Sequence, residues 1–262
     1  MKNQRSPAII IAGLLNYHFK SMFELKFSYN FNKDVNNYLN AIYKFKYLKH
    51  GRNNIEKTVA RYLFEKDLIK IKKSKNKKVA TQQIKNILSK WLKTNEDILE
   101  ANQQSLATVW GKRKNEYINC CEIFFEKKFD LSPTSVYFTT LVICPYYYPD
   151  WFMVSVREGL EEQLLTIYHE LFHFIFIKHY GNYCQNQKLT PEEFETIKES
   201  LTLFLNKPPF TKINTLYEKG YPQEKELRDF MAKEYKKNHN FLSLLNASIK
   251  LIKSQRGRFK QD

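Results

Sequence analysis

His169, Glu170 and His173 stand in the order HExxH within the run 168–178, YHELFHFIFIK. Four residues along an α-helix advance about 400°, so the two imidazoles leave nearly the same face one turn apart and can grip a single ion. Glu170 is offset by one position and can lie beside a metal-bound water instead of on the metal. Neutral imidazoles that bind Zn2+, an open position for water and a carboxylate to take its proton are what a zinc-dependent hydrolase needs, with Glu170 as the general base.

Such a centre takes a third protein ligand, and two residues are eligible. His179 lies ten positions after His169, as in the metzincin pattern HExxHxxGxxH, but that pattern breaks its helix at a glycine where this chain has Phe176. If the helix continues, His179 points about 240° away from His173 and cannot reach the ion. It then reads as a helix-end histidine near the negative pole of the dipole. Glu199 is the favoured ligand. On the next helix Phe194, Ile197, Leu201 and Phe204 mark a buried stripe, and Glu192, Glu195, Glu199 and Thr202 share another face. Glu199 borders the stripe, where an unpaired carboxylate is costly, whereas Glu192, Glu193 and Glu195 read as surface charge.

HELFH followed 26 residues later by ESLT resembles the gluzincins, zinc metallopeptidases with a downstream glutamate ligand. The resemblance covers residues 134–206 and implies a small twisted sheet, an active-site helix and a glutamate helix. It implies that His169, His173 and Glu199 bind zinc, and that Glu170 acts first as general base and then as acid toward the leaving amine. An extended peptide would lie antiparallel on a sheet edge, either the strand from Val136 or its partner from Trp151. The Asp that usually follows ESLT is Leu203 here, so the carboxylate that orients a ligating histidine must come from elsewhere. Tyr217, Tyr221, Arg228 and His239 are the downstream residues able to stabilise an oxyanion.

The elements around this core of chemistry follow from periodicity. Val35, Tyr38, Leu39, Ile42 and Tyr43 recur at helical spacing, as do Ile84, Ile87, Leu88, Trp91 and Leu92. Asn53 with Glu56 looks like a helix cap. A long helix over 97–128 would bury Leu106, Val109, Trp110, Tyr117, Cys121 and Phe124. After the turn-like DLSP at 130–133, strands are expected over 136–144 and 151–156, as a hairpin or as neighbours. Helices follow over 158–180, stopping at Gly181, and over 191–206. Periodicity thus gives a fold class that is α+β and predominantly helical, with an all-helical, strongly basic region at 1–128, and the resemblance makes 129–262 a zincin-like catalytic domain.

Composition bounds the rest. The 262 residues, with 7 Gly and 8 Pro against 20 Phe and 17 Tyr, argue against a β-sandwich and against disorder as the main state. The apolar run at 7–15 covers about half the length of a membrane span, and the signal-peptide pattern around it lacks a cleavage site. Four cysteines with no CxxC are too few for a disulfide scaffold, which points to a cytoplasmic protein. The net charge of +16 is uneven: residues 1–128 hold 26 basic and 11 acidic side chains, and residues 129–262 hold 17 and 16. That asymmetry suggests contact of the first half with nucleic acid or another polyanion, besides the peptide or protein substrate of the second. Two rivals to a plain peptidase remain: a regulatory protease that its basic half addresses to DNA, and a non-catalytic binding protein that keeps the HExxH helix as scaffold.

Overall fold

Residues 23–43, 59, 65–74 and 76–256 are described by a computed structural model of the chain. The apolar run at 7–15 and the cap at Asn53 and Glu56 lie outside them. Among the described residues there are four short strands: β1 (Leu25–Tyr29), β2 (Thr134–Thr139), β3 (Tyr146–Tyr147) and β4 (Trp151–Ser155). They form one sheet in the order β1-β2-β4-β3, the first three parallel and β3 antiparallel to β4. Val136 and Phe138 of β2 and Phe152 and Val154 of β4 are fully buried, so one face of the sheet rests on the helices. The expected strands shorten, because 140–144 leaves the sheet, and they pair side by side in parallel instead of as a hairpin.

The expectation of an all-helical region over 1–128 is corrected by β1. LKFSY places Leu25, Phe27 and Tyr29 on a period of two against the main core, and β1 pairs along its length with β2, from Leu25 opposite Thr134 to Tyr29 opposite Phe138.

The helices whose bounds fall within the described residues are, in chain order, α1 (Phe31–Tyr43), α2 (Glu65–Lys73), α3 (Lys77–Phe125), α4 (Leu160–Asn186), α5 (Pro191–Leu201), α6 (Lys225–Asn238) and α7 (Phe241–Ser254). Helix α3 runs for 49 residues and kinks at Asn95, whose φ and ψ are −134° and 15°. The cause is local: the Asn95 side-chain amide and the Thr94 hydroxyl both donate to the carbonyl of Trp91, at 2.8 and 3.0 Å, replacing the helical ladder there.

The kink also divides the hydrophobic clusters. Before it, Val35, Tyr38 and Leu39 of α1, Ile71 of α2 and Ala80, Ile84 and Leu88 of α3 pack together with Leu141. After it, Leu99, Leu106, Trp110, Tyr117, Phe124 and Phe125 join the core that holds the sheet, α4 and the helices that follow. The fully buried apolar side chains therefore change clusters across Asn95, Leu92 already resting on the main core, and packing is continuous across residue 128. Residues 31–94 contain 17 basic and 4 acidic side chains, a net +13.

Helix α4 is central. Residues 170–176 are buried without interruption, as expected of a helix apolar on all sides, and Phe172 and Phe176 meet rings from α3, α5 and α7. Buried phenols lock its neighbours: Tyr117 of α3 donates to the carbonyl of Tyr168 at 2.8 Å, and Tyr180 donates to that of Phe125 at 2.6 Å. The helix does not stop at Gly181 but runs on to Asn186. Helix α5 starts where expected, with Pro191 in its first turn and a reciprocal Thr190–Glu193 capping box. It ends at Leu201, and Thr202–Asn206 continues as a 3-10 turn instead of α-helix. Among the described residues no helix is long and apolar enough to cross a membrane.

Candidate metal centre

Because α4 is wedged in the core, its HExxH turn has a fixed orientation, and α5 packs against it with Ile197 and Leu201 fully buried. This brings His169, His173 and Glu199 together. The two Nε2 atoms lie 2.8 Å apart, and Oε2 of Glu199 is 3.4 Å from each. A circle through these three atoms has a radius of about 1.9 Å, so a point 2.0–2.1 Å from all three exists, which is the bond length zinc takes to imidazole nitrogen and carboxylate oxygen. Two imidazoles and one carboxylate can thus hold a metal ion and leave the remaining positions to solvent.

The protons are distributed to suit. His173 is fully buried, and burial together with the nearby Lys198 charge brings its pKa down to about 3. Burial also works against a charge on His169, but hydrogen bonds to Glu199 and Glu218 outweigh it and hold that imidazole well above its ordinary value. One proton between the two facing Nε2 atoms is what a 2.8 Å contact requires. Burial likewise opposes ionisation of Glu199, yet the two histidines and Lys198 keep its carboxyl far below the usual range. Glu170, next to His169, is pushed up to about 7 by burial, partly offset by His169 and Lys198, and its Oε2 is buried with no partner among the described residues.

The carboxylate that faces His169 from its far side has no local signal in the sequence. It is Glu218, in the loop before α6, whose Oε2 lies 3.5 Å from His169 Nδ1. The loop is pinned at three points. Asn206 accepts from the Glu218 amide and donates to its carbonyl, both at 2.7 Å; Arg228 donates to the same carbonyl at 3.1 Å; and Glu218 Oε1 accepts from Gly220 N at 3.0 Å. Gly220 has φ +63°, and a Cβ there would stand 2.3 Å from the Arg228 guanidinium, so both conformation and space demand glycine. The only sequence signal was this lone glycine nineteen residues beyond Leu201.

The remaining residues sort by position. His179 is not in the cluster: the helix continues through Phe176, as the absent glycine predicted, and His179 sits in mid-helix, not at an end, its pKa lowered chiefly by burial. Of the four proposed oxyanion donors, Tyr221 alone is shown beside the site, its phenol raised by burial and by the carboxylates of Glu199, Glu170, Glu224 and Glu218. Tyr217 is exposed, Arg228 braces the Glu218 loop, and His239 caps α6 against Tyr235. The strands expected to receive a peptide are interior ones; β3 is the edge on this side, and its Tyr146 ring lies 6.1 Å from that of His173. Tyr148 packs on Phe174, and Tyr147 stacks on Trp151, over which Lys33 sits at 3.9 Å. All four cysteines are free, and Cys184 is fully buried, with its thiol pushed up to about 12 by burial, the opposite of an activated nucleophile.

Of the glutamates read as surface charge, Glu193 belongs to the α5 cap and accepts from Arg256 at 2.7 Å, while Glu195 pairs with Lys198 at 3.1 Å. Lys198 is completely buried, and nothing in its spacing announced it. Comparison with protein-family models, with curated protein sequences and with solved structures finds no match to this chain.

Proposed function

We propose that the chain is a zinc-dependent peptidase whose catalytic centre is His169, Glu170, His173 and Glu199. The observation that carries this reading is the convergence of Nε2 of His169, Nε2 of His173 and Oε2 of Glu199, from two helices, within 3.4 Å of one another. Zn2+ held there would supply a Lewis acid that polarises the peptide carbonyl and makes water a nucleophile near neutral pH. Glu170, whose Oε2 has no partner among the described residues, would take a proton from the attacking water and return it to the leaving amine; a carboxyl held up near pH 7 can do both. Glu218, whose carboxylate faces Nδ1 of His169 at 3.5 Å, keeps Nε2 aimed at its partners. Tyr221, whose phenol feels the carboxylates of Glu199 and Glu170, is the side chain we assign to the developing oxyanion. β3 is an edge strand among the described residues, and its outer main-chain groups would receive an extended peptide.

Glu170→Gln tests the reading, because the amide keeps the shape and loses the base. The variant should bind metal like the wild type and hydrolyse a quenched-fluorescence peptide library at least ~100-fold more slowly. Equal rates would remove Glu170 from the mechanism.

The concentration of a net +13 in residues 31–94 favours a second, compatible reading: that this basic stretch of sequence addresses the peptidase to a polyanion such as DNA. Full-length protein should then shift a labelled duplex at low salt, with affinity falling steeply between 50 and about 200 mM salt. No binding at low salt would dismiss it.

A further inference from the structure

Helix α5 turns two neighbouring side chains toward two different walls. Glu199 faces the histidines of α4, and Lys198 faces Tyr146 of the edge strand β3. The Lys198 ammonium has three hydrogens and three acceptors: Glu199 Oε1 at 2.9 Å, the Tyr146 hydroxyl at 2.7 Å and Glu195 Oε2 at 3.1 Å. It also lies 4.5 Å from the centre of the Tyr146 ring. Its side chain has no exposed surface, so no water competes for those bonds.

We infer that Lys198 is a positioning residue that makes Glu199 a one-oxygen ligand. Oε2 is the atom that meets both histidines, while Oε1 is committed to the ammonium. For Oε1 to ligate as well, it would have to leave its hydrogen bond or draw the ammonium to about 4–5 Å from a divalent ion with no water between them, a strongly repulsive arrangement. Glu199 therefore spends one coordination position instead of two, and the position it leaves is available to water and to the substrate carbonyl. The Tyr146 phenol fixes the third corner, so the same contact that restrains the ligand is anchored in the strand that borders the cleft.

This inference rests on the metal reading above, and the experiment separates the two. Full-length protein is loaded with Co2+ alone, and bound metal and the visible absorption of the bound ion are measured for wild type, Lys198→Met and Tyr146→Phe. Low-coordinate Co2+ absorbs several-fold more strongly than five- or six-coordinate Co2+, so geometry is read directly. Wild type that takes up no Co2+ overturns the metal reading and this inference with it. Wild type with one intensely absorbing Co2+, and Lys198→Met with one Co2+ at about half the molar absorbance or less, is the result expected when a second carboxylate oxygen joins the ion. An unchanged spectrum in Lys198→Met overturns the inference and leaves the metal reading intact. So does a folded Lys198→Met that binds no Co2+, which would make Lys198 a support for ligation itself. If circular dichroism shows Lys198→Met to be unfolded, Tyr146→Phe decides. That variant loses one of the three anchors and keeps its ring, so its absorbance should fall in the same direction, and an unaltered band would overturn the inference.

Discussion

Metal uptake by this cluster should release one proton from the histidines, not two. In the metal-free protein His169 is held protonated by Glu199 and Glu218 against the cost of its burial, whereas His173 remains neutral down to about pH 3. Ligation requires both Nε2 atoms to be free of protons. Between pH 5 and 6.5, then, only His169 has a proton to lose, and affinity should fall about tenfold, or about 1.4 kcal/mol, for each unit the pH is lowered. Two ordinary histidines of pKa near 6.5 would give a slope approaching two toward pH 5. Glu170, up at about 7, would add a proton of its own if the ion drew it down. The measurement is therefore made on Glu170→Gln. Calorimetric titration with Zn2+ in buffers of different ionisation enthalpy counts the released protons directly. A count near one supports the assigned protonation states; a count near two, or near zero, refutes the reasoning.

Two further predictions address what supports the cluster. Glu218→Gln removes the charge facing His169 Nδ1 and should weaken zinc binding 10- to ~100-fold in a chelator competition at fixed pH, with the fold intact by circular dichroism; undiminished affinity would show that Glu218 does not orient the histidine. Gly220→Ala forces a side chain into a left-handed residue and against the Arg228 guanidinium, at a cost of about 1–3 kcal/mol. Thermal unfolding of the metal-free protein should register that loss together with weaker zinc binding, because the same loop carries Glu218. A variant with wild-type stability would mean the loop tolerates the strain.

The parts legible in the sequence were those written in local periodicity. HExxH on an apolar run specifies a buried helix and the facing of its two imidazoles. Phe176 in place of glycine correctly implied a continuing helix and a distant His179. Glu199 was found because it borders the stripe of Ile197 and Leu201. What was missed depends on contacts between distant segments. Five residues at Leu25–Tyr29 form a strand only because β2, 109 positions later, offers an edge. Nothing local to α3 says that Asn95 parts two cores, since asparagine is an ordinary helix-surface residue until its side chain takes a carbonyl. Lys198 carried no local signal, because lysine is seldom fully buried unless it is paired, and its partners Tyr146 and Glu199 meet only once β3 and α5 are packed. Glu218 was invisible for the same reason: the carboxylate on His169 arrives from a loop with no periodicity, where the pattern of the resembled family would have placed it just after ESLT.

Zinc stoichiometry tests the central claim most directly. Full-length protein loaded with Zn2+ and passed through a desalting column should retain about one ion per chain by elemental analysis, whereas His173→Ala and Glu199→Ala should each retain little or none at the same concentration. A wild type that retains no zinc, or a Glu199→Ala protein that retains it in full, would contradict the proposal that two imidazoles of α4 and one carboxylate of α5 form a metal centre.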